Sequence, residues 1–175
     1  PLIQNIGKYF YKVNIHAPYF INFADADATT GGSPSIVFRY GKAINDPVMW
    51  KFGAHLARIG KWGEGAMTGR IFDQIRNLGL IDEIRTSESE EALVADFWFP
   101  DTEVAGARDK EGSFSGFFFG AKGGFNAESH NHNDVGSCLM YFNGKPCLID
   151  LGREEYVAKT FSSRRYEIWT MQSVY

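Results

Sequence analysis

The fold is decided by residues 137–150, which read SCLMYFNGKPCLID. Asn143 and Gly144 lie between two apolar runs, and an Asn-Gly pair in that position is a strong signal for a two-residue β-hairpin turn. Pairing Phe142 with Lys145 sets the register of this hairpin. The sequence therefore predicts antiparallel β-structure in this half of the chain.

The same register predicts that the two cysteines stay unpaired. Met140 then faces Cys147, and Cys138 faces Ile149, so the thiols share a face but lie diagonally, roughly 7–8 Å apart. This separation is too long for an unstrained disulfide. We expect two free and mostly buried thiols, which carry little information about the cellular compartment.

The first half of the chain has the pattern of helices. Apolar residues recur at helical spacing over residues 2–13. Asp46 and Pro47 open a second helix, with Asp as the N-cap and Pro as the first helical residue. Gly60 is expected to end this helix. Its buried stripe is predicted at Val48, Phe52, Leu56 and Ile59.

A third helix is predicted over residues 65–78, and residues 17–45 contain mainly loop-forming residues. Residues 86–91 form an acidic connection that we expect to be solvated. Strand signals follow this connection. The predicted strands cover residues 93–99, 103–108 and 113–120, with a turn at 109–112.

These patterns predict an α+β protein with two parts. A helical segment covers residues 1–85, and an antiparallel β-domain covers residues 86–175. Both ends of the chain look cut, so we expect a piece of a longer protein.

Composition excludes several classes of protein. Of the 175 residues, 44% are hydrophobic, 15% are aromatic and 22% are charged, which is typical of a folded chain and not of a disordered one. No apolar run approaches the ~20 residues of a membrane span. The net charge of −3 argues against a general nucleic-acid binder, so an anionic partner needs a local basic cluster.

The densest polar cluster covers residues 128–134 and follows a glycine-rich stretch, 120–124, that we expect to be flexible. Imidazoles at i and i+2 point to the same side of an extended segment, so His130 and His132 can begin a metal site. The alternative is a polar loop that leads into the hairpin.

Two other metal-site motifs also begin with His-x-His. A metallo-hydrolase of the His-x-His-x-Asp type would use Asp134, but Val135 stands where that motif has another His. A cupin requires a Glu four or five residues after the second His, where this chain has Gly136 and Ser137.

The other two histidines have simpler interpretations. His55 lies beside the predicted apolar stripe, so we expect a partly buried packing residue. His16 precedes Ala17-Pro18 and is expected in a loop.

From residue 123 to residue 175 the chain resembles the heparinase II/III-like polysaccharide lyases. The resemblance rests on three blocks in the expected order and on two later features. These are Ser129-His130-Asn131-His132-Asn133-Asp134-Val135-Gly136-Ser137, then Tyr141-Phe142-Asn143-Gly144-Lys145-Pro146, then Leu148-Ile149-Asp150-Leu151-Gly152-Arg153, followed by Tyr156 and Ser163-Arg164-Arg165-Tyr166.

The resemblance implies the end of an (α/α) toroid followed by an antiparallel β-sandwich, with the active site in the cleft between them. It implies β-elimination on an acidic, uronate-containing polysaccharide and a periplasmic or secreted location. His130 matches a residue of the catalytic cleft. His132 and Asp150 match ligands of a structural Zn²⁺, whose third ligand is expected beyond Tyr175.

The residues themselves suggest further roles. Between Lys145 and Arg165 the chain has five basic residues against three acidic ones, and Arg suits bidentate contacts to carboxylate or sulfate. The candidate substrate-binding residues are Arg153, Tyr156, Arg164 and Arg165. Tyr166 is a candidate for proton transfer. The alternatives are a solvated strand face for the arginines and packing within the sandwich for the two tyrosines.

Geometry sets a condition on the zinc hypothesis. Straight extension of the hairpin would leave His132 and Asp150 roughly 15 Å apart at about 3.3 Å per residue. The two can share a metal only if residues 130–135 curl back, which Asn131, Asn133, Asp134 and Gly136 permit. If the chain is not a lyase, the alternatives are a non-catalytic carbohydrate-binding β-module with a structural zinc, and the metallo-hydrolase.

Overall fold

The structure is a computed structural model that describes residues 2–29, 33–64, 71–127 and 134–150. Within these residues the protein is α+β, as predicted, with five helices and antiparallel sheets. The chain divides into two compact units, the first of residues 1–18 and 31–93, the second of residues 19–30 and 94–175. No helix in the described ranges is long and apolar enough to cross a membrane.

The first unit is mainly helical. Its elements are α1 (Leu2–Lys12), β1 (Asn14–His16), α2 (Pro34–Ala43), α3 (Pro47–Ile59), α4 (Ile71–Leu78) and α5 (Ile81–Thr86). A core cluster is formed by Phe38, Ala54, Ala57 and Ile84, with Trp50, Trp62 and Leu80 packed against it. The helices are thus held together mainly by apolar burial around α3.

Helix α3 begins as the sequence predicts. The side chain of Asp46 accepts a hydrogen bond of 3.1 Å from the backbone N–H of Met49, which satisfies one free donor of the first turn. Phe52 and Leu56 are buried as expected. Val48 and Ile59 are about half exposed, so that part of the predicted stripe is wrong.

The stripe is displaced because α3 contacts α2 through a glycine. The buried side of α3 includes Met49 and Gly53 together with Phe52 and Leu56. A Cβ at Gly53 would lie 2.5 Å from the backbone nitrogen of Phe38, so the two helix backbones approach at this point.

Helix α2 was not predicted, because the residues around it favour loops. Its first residue, Pro34, follows Ser33 at the N-cap position, which is the same kind of start that Asp46 and Pro47 give α3. Helix α5 was also missed. Of the predicted helix over 65–78, residues 71–78 form α4, and residues 65–70 lie outside the described part of the chain. The apolar residues Ile71, Ile75 and Leu78 of α4 are exposed.

The second unit contains β2 (Tyr19–Phe20) and a five-stranded antiparallel sheet whose order follows the chain. The strands of this sheet are β3 (Asp96–Phe99), β4 (Val104–Arg108), β5 (Phe117–Lys122), β6 (Cys138–Phe142) and β7 (Lys145–Leu148). The predicted strands are confirmed within a few residues. The largest difference is β5, which begins at Phe117 and not at Ser113.

The hairpin between β6 and β7 forms at the predicted turn. Asn143 and Gly144 have φ of 50° and 73°, as this type of turn requires, and Phe142 pairs with Lys145. A bulge between Met140 and Tyr141 then shifts the register, so Met140 pairs with Leu148 and not with Cys147.

The extra residue of the bulge is Cys147 on β7, between Pro146, which pairs with Tyr141, and Leu148, which pairs with Met140. The neighbouring Pro146 has no N–H to donate to the ladder. Both thiols are free, as predicted. Cys138 is half-buried, but Cys147 is exposed on the last strand of the sheet, so the expected burial of this thiol is wrong.

One face of the sheet is buried within the second unit. Phe118, Leu139 and Tyr141 lie on this face, and the rings of Tyr19 and Tyr141 are 5.5 Å apart. The other face carries exposed aromatic side chains. These are Trp98, Phe117, Phe119 and Phe142.

We predict that Gly53→Ala destabilises the protein. Helix propensity alone favours Ala over Gly by about 1 kcal/mol, but the new methyl group would collide with the backbone of α2. We expect the free energy of unfolding to fall by about 1–3 kcal/mol in urea titrations followed by circular dichroism.

Gly79→Ala is the matched control, because a Cβ there meets no atom of the described chain within 4 Å. Its effect should stay within about 0.5 kcal/mol. A Gly53→Ala variant that is more stable than the wild type would contradict the close contact between α2 and α3.

Candidate functional site

The predicted site residues fall mostly outside the described part of the chain. His130 and His132 belong to residues 128–133, and a second group belongs to residues 151–175. This second group contains Arg153, Tyr156, Arg164, Arg165 and Tyr166. Asp150 is described, and so are the two ends of the chain that enclose His130 and His132. The geometry of the candidate site is therefore built from these anchors.

A buried ion pair joins Lys122, which precedes the two histidines in sequence, to Asp134, which follows them directly. Lys122 Nζ, at the end of β5, is 3.0 Å from Oδ1 of Asp134. The side chains are only 6% and 3% exposed. Charged groups are seldom buried so completely unless they are paired.

Asp134 is held by further hydrogen bonds. Its Oδ2 accepts from the backbone N–H of Ala24 at 3.1 Å, so each carboxylate oxygen has a protein donor. Its backbone carbonyl accepts from the N–H of Ser137 at 2.9 Å. Gly136, with φ of 89°, donates to the carbonyl of Lys122 at 2.8 Å. Residues 134–137 therefore form a turn that is attached to the end of β5.

The chain that leads into residues 128–133 is also anchored. Gly124 N–H donates to Oε2 of Glu103 at 2.8 Å, and Gly123 N–H donates to the Glu103 carbonyl at 2.7 Å. Asn126 Oδ1 accepts from Val135 N–H at 3.3 Å and so joins the described residues on either side of 128–133.

The expected flexibility of residues 120–124 is wrong. Residues 120–122 belong to β5, and Glu103 holds both following glycines. A Cβ at Gly123 would lie 2.6 Å from Glu103 Oε2, so glycine is needed there for close approach.

Asp150 is tied to the same short segment as Asp134. The side chain of Asn22, which is 2% exposed, donates to the backbone carbonyl of Asp150 at 3.3 Å. Ala24, which donates to Asp134, is only two residues further along the chain. Two residues span at most about 7 Å, so Asp134 and the backbone of Asp150 are bound by the same short segment.

This convergence bears on the geometric condition set by the sequence. The chain does not extend straight back from β6, because residues 134–137 turn. Residues 134 and 135 thus belong to a turn, whereas residues 130–133, the rest of the segment that must curl back, lie outside the described part of the chain.

The donor chemistry at this place fits zinc in part. Asp150 is half-buried and supplies carboxylate oxygens, which zinc accepts along with imidazole nitrogen. Among the described residues no group of three His, Cys, Asp or Glu side chains is placed to hold a metal ion. The ligand predicted at His132 lies outside those residues, so the zinc site stays a prediction.

Two residues of this arrangement were not identified from sequence. Lys122 and Asn22 carry no local motif, and their partners lie 12 and 128 residues away. Asp134 was considered only as a metal ligand. In the structure both of its carboxylate oxygens accept hydrogen bonds, one from Lys122 and one from Ala24.

The first unit contains the other two histidines. His16 ends β1, and its Nδ1 lies 2.9 Å from Oε2 of Glu91, so the expectation of a loop residue is wrong. Glu91 also accepts from Ala17 N–H and from the Asn14 side chain. The carboxylate of Glu91 is largely buried, so this end of the acidic connection is not solvated as predicted.

His55 is half-buried and stacks on Phe52, with ring centroids 6.4 Å apart, as a packing residue would. Burial lowers the pKa of His55. The charge of Glu91 opposes this shift, and the charges of His16 and Arg58 add to it.

This shift predicts a pH dependence of stability. The pKa of His55 is lower in the folded state, so as pH falls below about 6.5 the unfolded chain takes up the proton first. The contribution of neutral His55 is complete above that pH and is lost below it. We expect the free energy of unfolding to fall less between pH 7.5 and pH 5.5 in His55→Gln than in the wild type.

Urea titrations at the two pH values measure this difference, and all other titrating groups are common to both proteins. Equal losses in the two proteins would show that the proton affinity of His55 does not change on folding.

Comparison with known proteins gives no further assignment. No protein-family model matches the chain, and no curated protein matches it.

Proposed function

We propose that this chain is part of a polysaccharide lyase of the heparinase II/III-like type, which cleaves uronate-containing glycans by β-elimination. In this proposal the helical unit is the end of an (α/α) toroid and the sheet belongs to an antiparallel β-sandwich. His132 and Asp150 bind a structural zinc ion. The lyase proposal rests on the sequence resemblance over residues 123–175. The convergence of Asp134 and Asp150 on residues 22–24 is the structural observation that supports a shared zinc site.

The chemistry requires two proton transfers. A base removes the C5 proton of the uronate, the C4–O4 bond breaks, a C4–C5 double bond forms and an acid protonates the departing O4. His130 and Tyr166 are the proposed proton-transfer groups. The carboxylate of the substrate must be neutralised so that C5 becomes acidic, and cationic side chains supply that stabilisation. The proposed substrate-binding residues are Arg153, Tyr156, Arg164 and Arg165.

Zinc, when bound, supplies a cross-link between two segments of the chain. Its ligands must hold the segment with His132 against the end of the hairpin at Asp150. Such a link fixes the position of His130, which is two residues before His132 in the chain.

The contacts of Asp134 favour this ligand set over that of a metallo-hydrolase. A His-x-His-x-Asp centre would need an oxygen of Asp134 as a ligand. Both oxygens instead accept hydrogen bonds, one from Lys122 and one from Ala24.

Metal content tests the proposed ligands. In a protein that carries both this chain and the expected third ligand, we expect about one zinc per chain by inductively coupled plasma mass spectrometry. Most of it should be lost in His132→Ala and in Asp150→Ala. Asp101→Ala, which changes an exposed carboxylate of the same unit, is the matched control and should retain the metal.

The lyase-type zinc site uses the carboxylate of Asp150, whereas the metallo-hydrolase would use that of Asp134. Retention of zinc in Asp150→Ala would remove this residue from the ligand set and would favour the metallo-hydrolase. Absence of zinc from a protein that carries both this chain and the expected third ligand would refute the zinc site.

Substrate binding provides a second test. We expect the chain to bind heparin, which is sulfated, or alginate, which is a uronate polymer without sulfate. The double variant Arg164→Gln/Arg165→Gln should weaken binding roughly tenfold or more, because charge-assisted hydrogen bonds are lost. Lys61→Gln is the control for a general loss of positive charge, since Lys61 is exposed in the other unit. Equal weakening by the control would indicate non-specific attraction.

Turnover distinguishes a lyase from a carbohydrate-binding module. In an active protein that carries this chain, His130→Ala should abolish formation of the unsaturated uronate and leave glycan affinity nearly unchanged. Unchanged turnover would contradict the catalytic role of His130.

A further inference from the structure

Helix α4 carries its apolar stripe on an exposed surface. Ile71, Ile75 and Leu78 recur at positions i, i+4 and i+7, and Phe72 lies at the edge of the same stripe. These four side chains are between 60% and 77% exposed. A stripe of this kind is typical of a helix that packs against another surface, and this spacing is the one by which a helix binds in an apolar groove.

An apolar groove lies between α1 and α2 in the same unit. Ile6 and Phe10 line it from α1, Ile36 and Val37 line it from α2, and Met49 of α3 also contributes to the lining. The volume of the groove is about 320 Å³. A cavity left by truncation of one buried leucine is about 150 Å³, so the groove has room for about two side chains of that size.

Tyr40 fixes the two walls of this groove relative to each other. Its hydroxyl donates to the backbone carbonyl of Ile3, and its ring lies so close to Gly7 that a Cβ there would collide with it. Both contacts join α2 to α1. The groove is therefore formed before a partner binds, which lowers the conformational cost of association.

The charges around the groove differ from those of the rest of the chain. Helices α1 and α2 contain four basic residues and no acidic one, whereas the whole chain has a net charge of −3. Helix α5, which follows α4 in the chain, begins with Asp82 and Glu83. A second copy of this chain thus offers negative charge close to the α4 stripe, and opposite charges favour the approach of two surfaces.

We propose that the groove between α1 and α2 binds helix α4 of a second copy of this chain. Each copy has one α4 stripe and one groove, so the exchange is reciprocal and closes a two-fold dimer. This inference depends neither on the lyase assignment nor on zinc.

The area of the proposed contact matches that of a stable dimer. Besides the four side chains of α4, four apolar side chains on α1 and α2 are more than 60% exposed, namely Leu2, Ile3, Ile6 and Ile36. Covering one such side chain removes on the order of 100 Å² of apolar surface, so a two-fold dimer covers roughly 1,000–1,600 Å². Stable protein interfaces bury about 1,200–2,000 Å².

The mass of the whole chain in solution tests the proposal. By sedimentation velocity or light scattering at micromolar concentration, we expect twice the 19.7 kDa of one chain. Ile75→Glu changes the α4 stripe and Ile36→Glu changes the groove. Each variant should weaken dimerisation about 100-fold or more, because a charge then enters both apolar contacts of the dimer.

Ile59→Glu is the matched control, because Ile59 is a half-exposed isoleucine of α3 that belongs neither to the α4 stripe nor to the groove. It should dimerise like the wild type. Circular dichroism checks that each variant is folded, and Ile36→Gln or Ile75→Gln replaces a glutamate variant that is not, with the same expectations.

A mixture of the two variants identifies the surfaces that meet. Ile36→Glu keeps an intact α4 stripe and Ile75→Glu keeps an intact groove, so a mixed pair retains one of the two contacts. We expect the mixture to associate about 10-fold more tightly than either variant alone.

Three results would overturn the proposal. The first is a wild-type chain that remains a monomer at 100-fold higher concentration, and the second is a dimer that persists in both variants. The third is a mixture that associates no better than its components, because stripe would then meet stripe or groove would meet groove.

Discussion

The carboxylate of Asp134 is buried, and its burial has to be compensated by nearby donors. Lys122 supplies a cation from the end of β5, the central strand of the sheet, and Ala24 supplies a backbone N–H from an earlier part of the chain. The turn at residues 134–137 then directs the chain into β6. The central strand, the approach to the hairpin and the segment near residue 24 are therefore joined at one side chain.

Local signals in the sequence were sufficient for much of the fold. The turn at Asn143-Gly144 and the helix start at Asp46-Pro47 depend on backbone conformations that only a few residue types favour, so they can be recognised from a few letters. Ser33-Pro34 is the same kind of signal as Asp46-Pro47, but the neighbouring Gly and Thr residues obscured it. The bulge at Cys147, next to Pro146 on the same strand, changes the register of the residues beyond it.

The contacts of the candidate site could not be predicted in the same way. Asn22 meets Asp150 across 128 positions, and Ala24 meets Asp134 across 110. The sequence contains 21 acidic residues and 18 basic ones, and nothing local distinguishes the pair that is buried. His130 and His132 could be recognised because two histidines at this spacing are typical of metal sites. Lys122, Asn22 and Ala24 belong to no such motif, and their contacts depend on the tertiary structure.

The second unit is discontinuous in sequence, because residues 19–30 are separated from residues 94–175 by most of the helical unit. A protein shortened to begin at residue 94 would keep all five strands of the large sheet. It would lose Asn22 and Ala24 and with them the donors to Asp150 and Asp134. Dissection of this chain at the start of its sheet would therefore separate the strands from the segment that brings the two parts of the candidate site together.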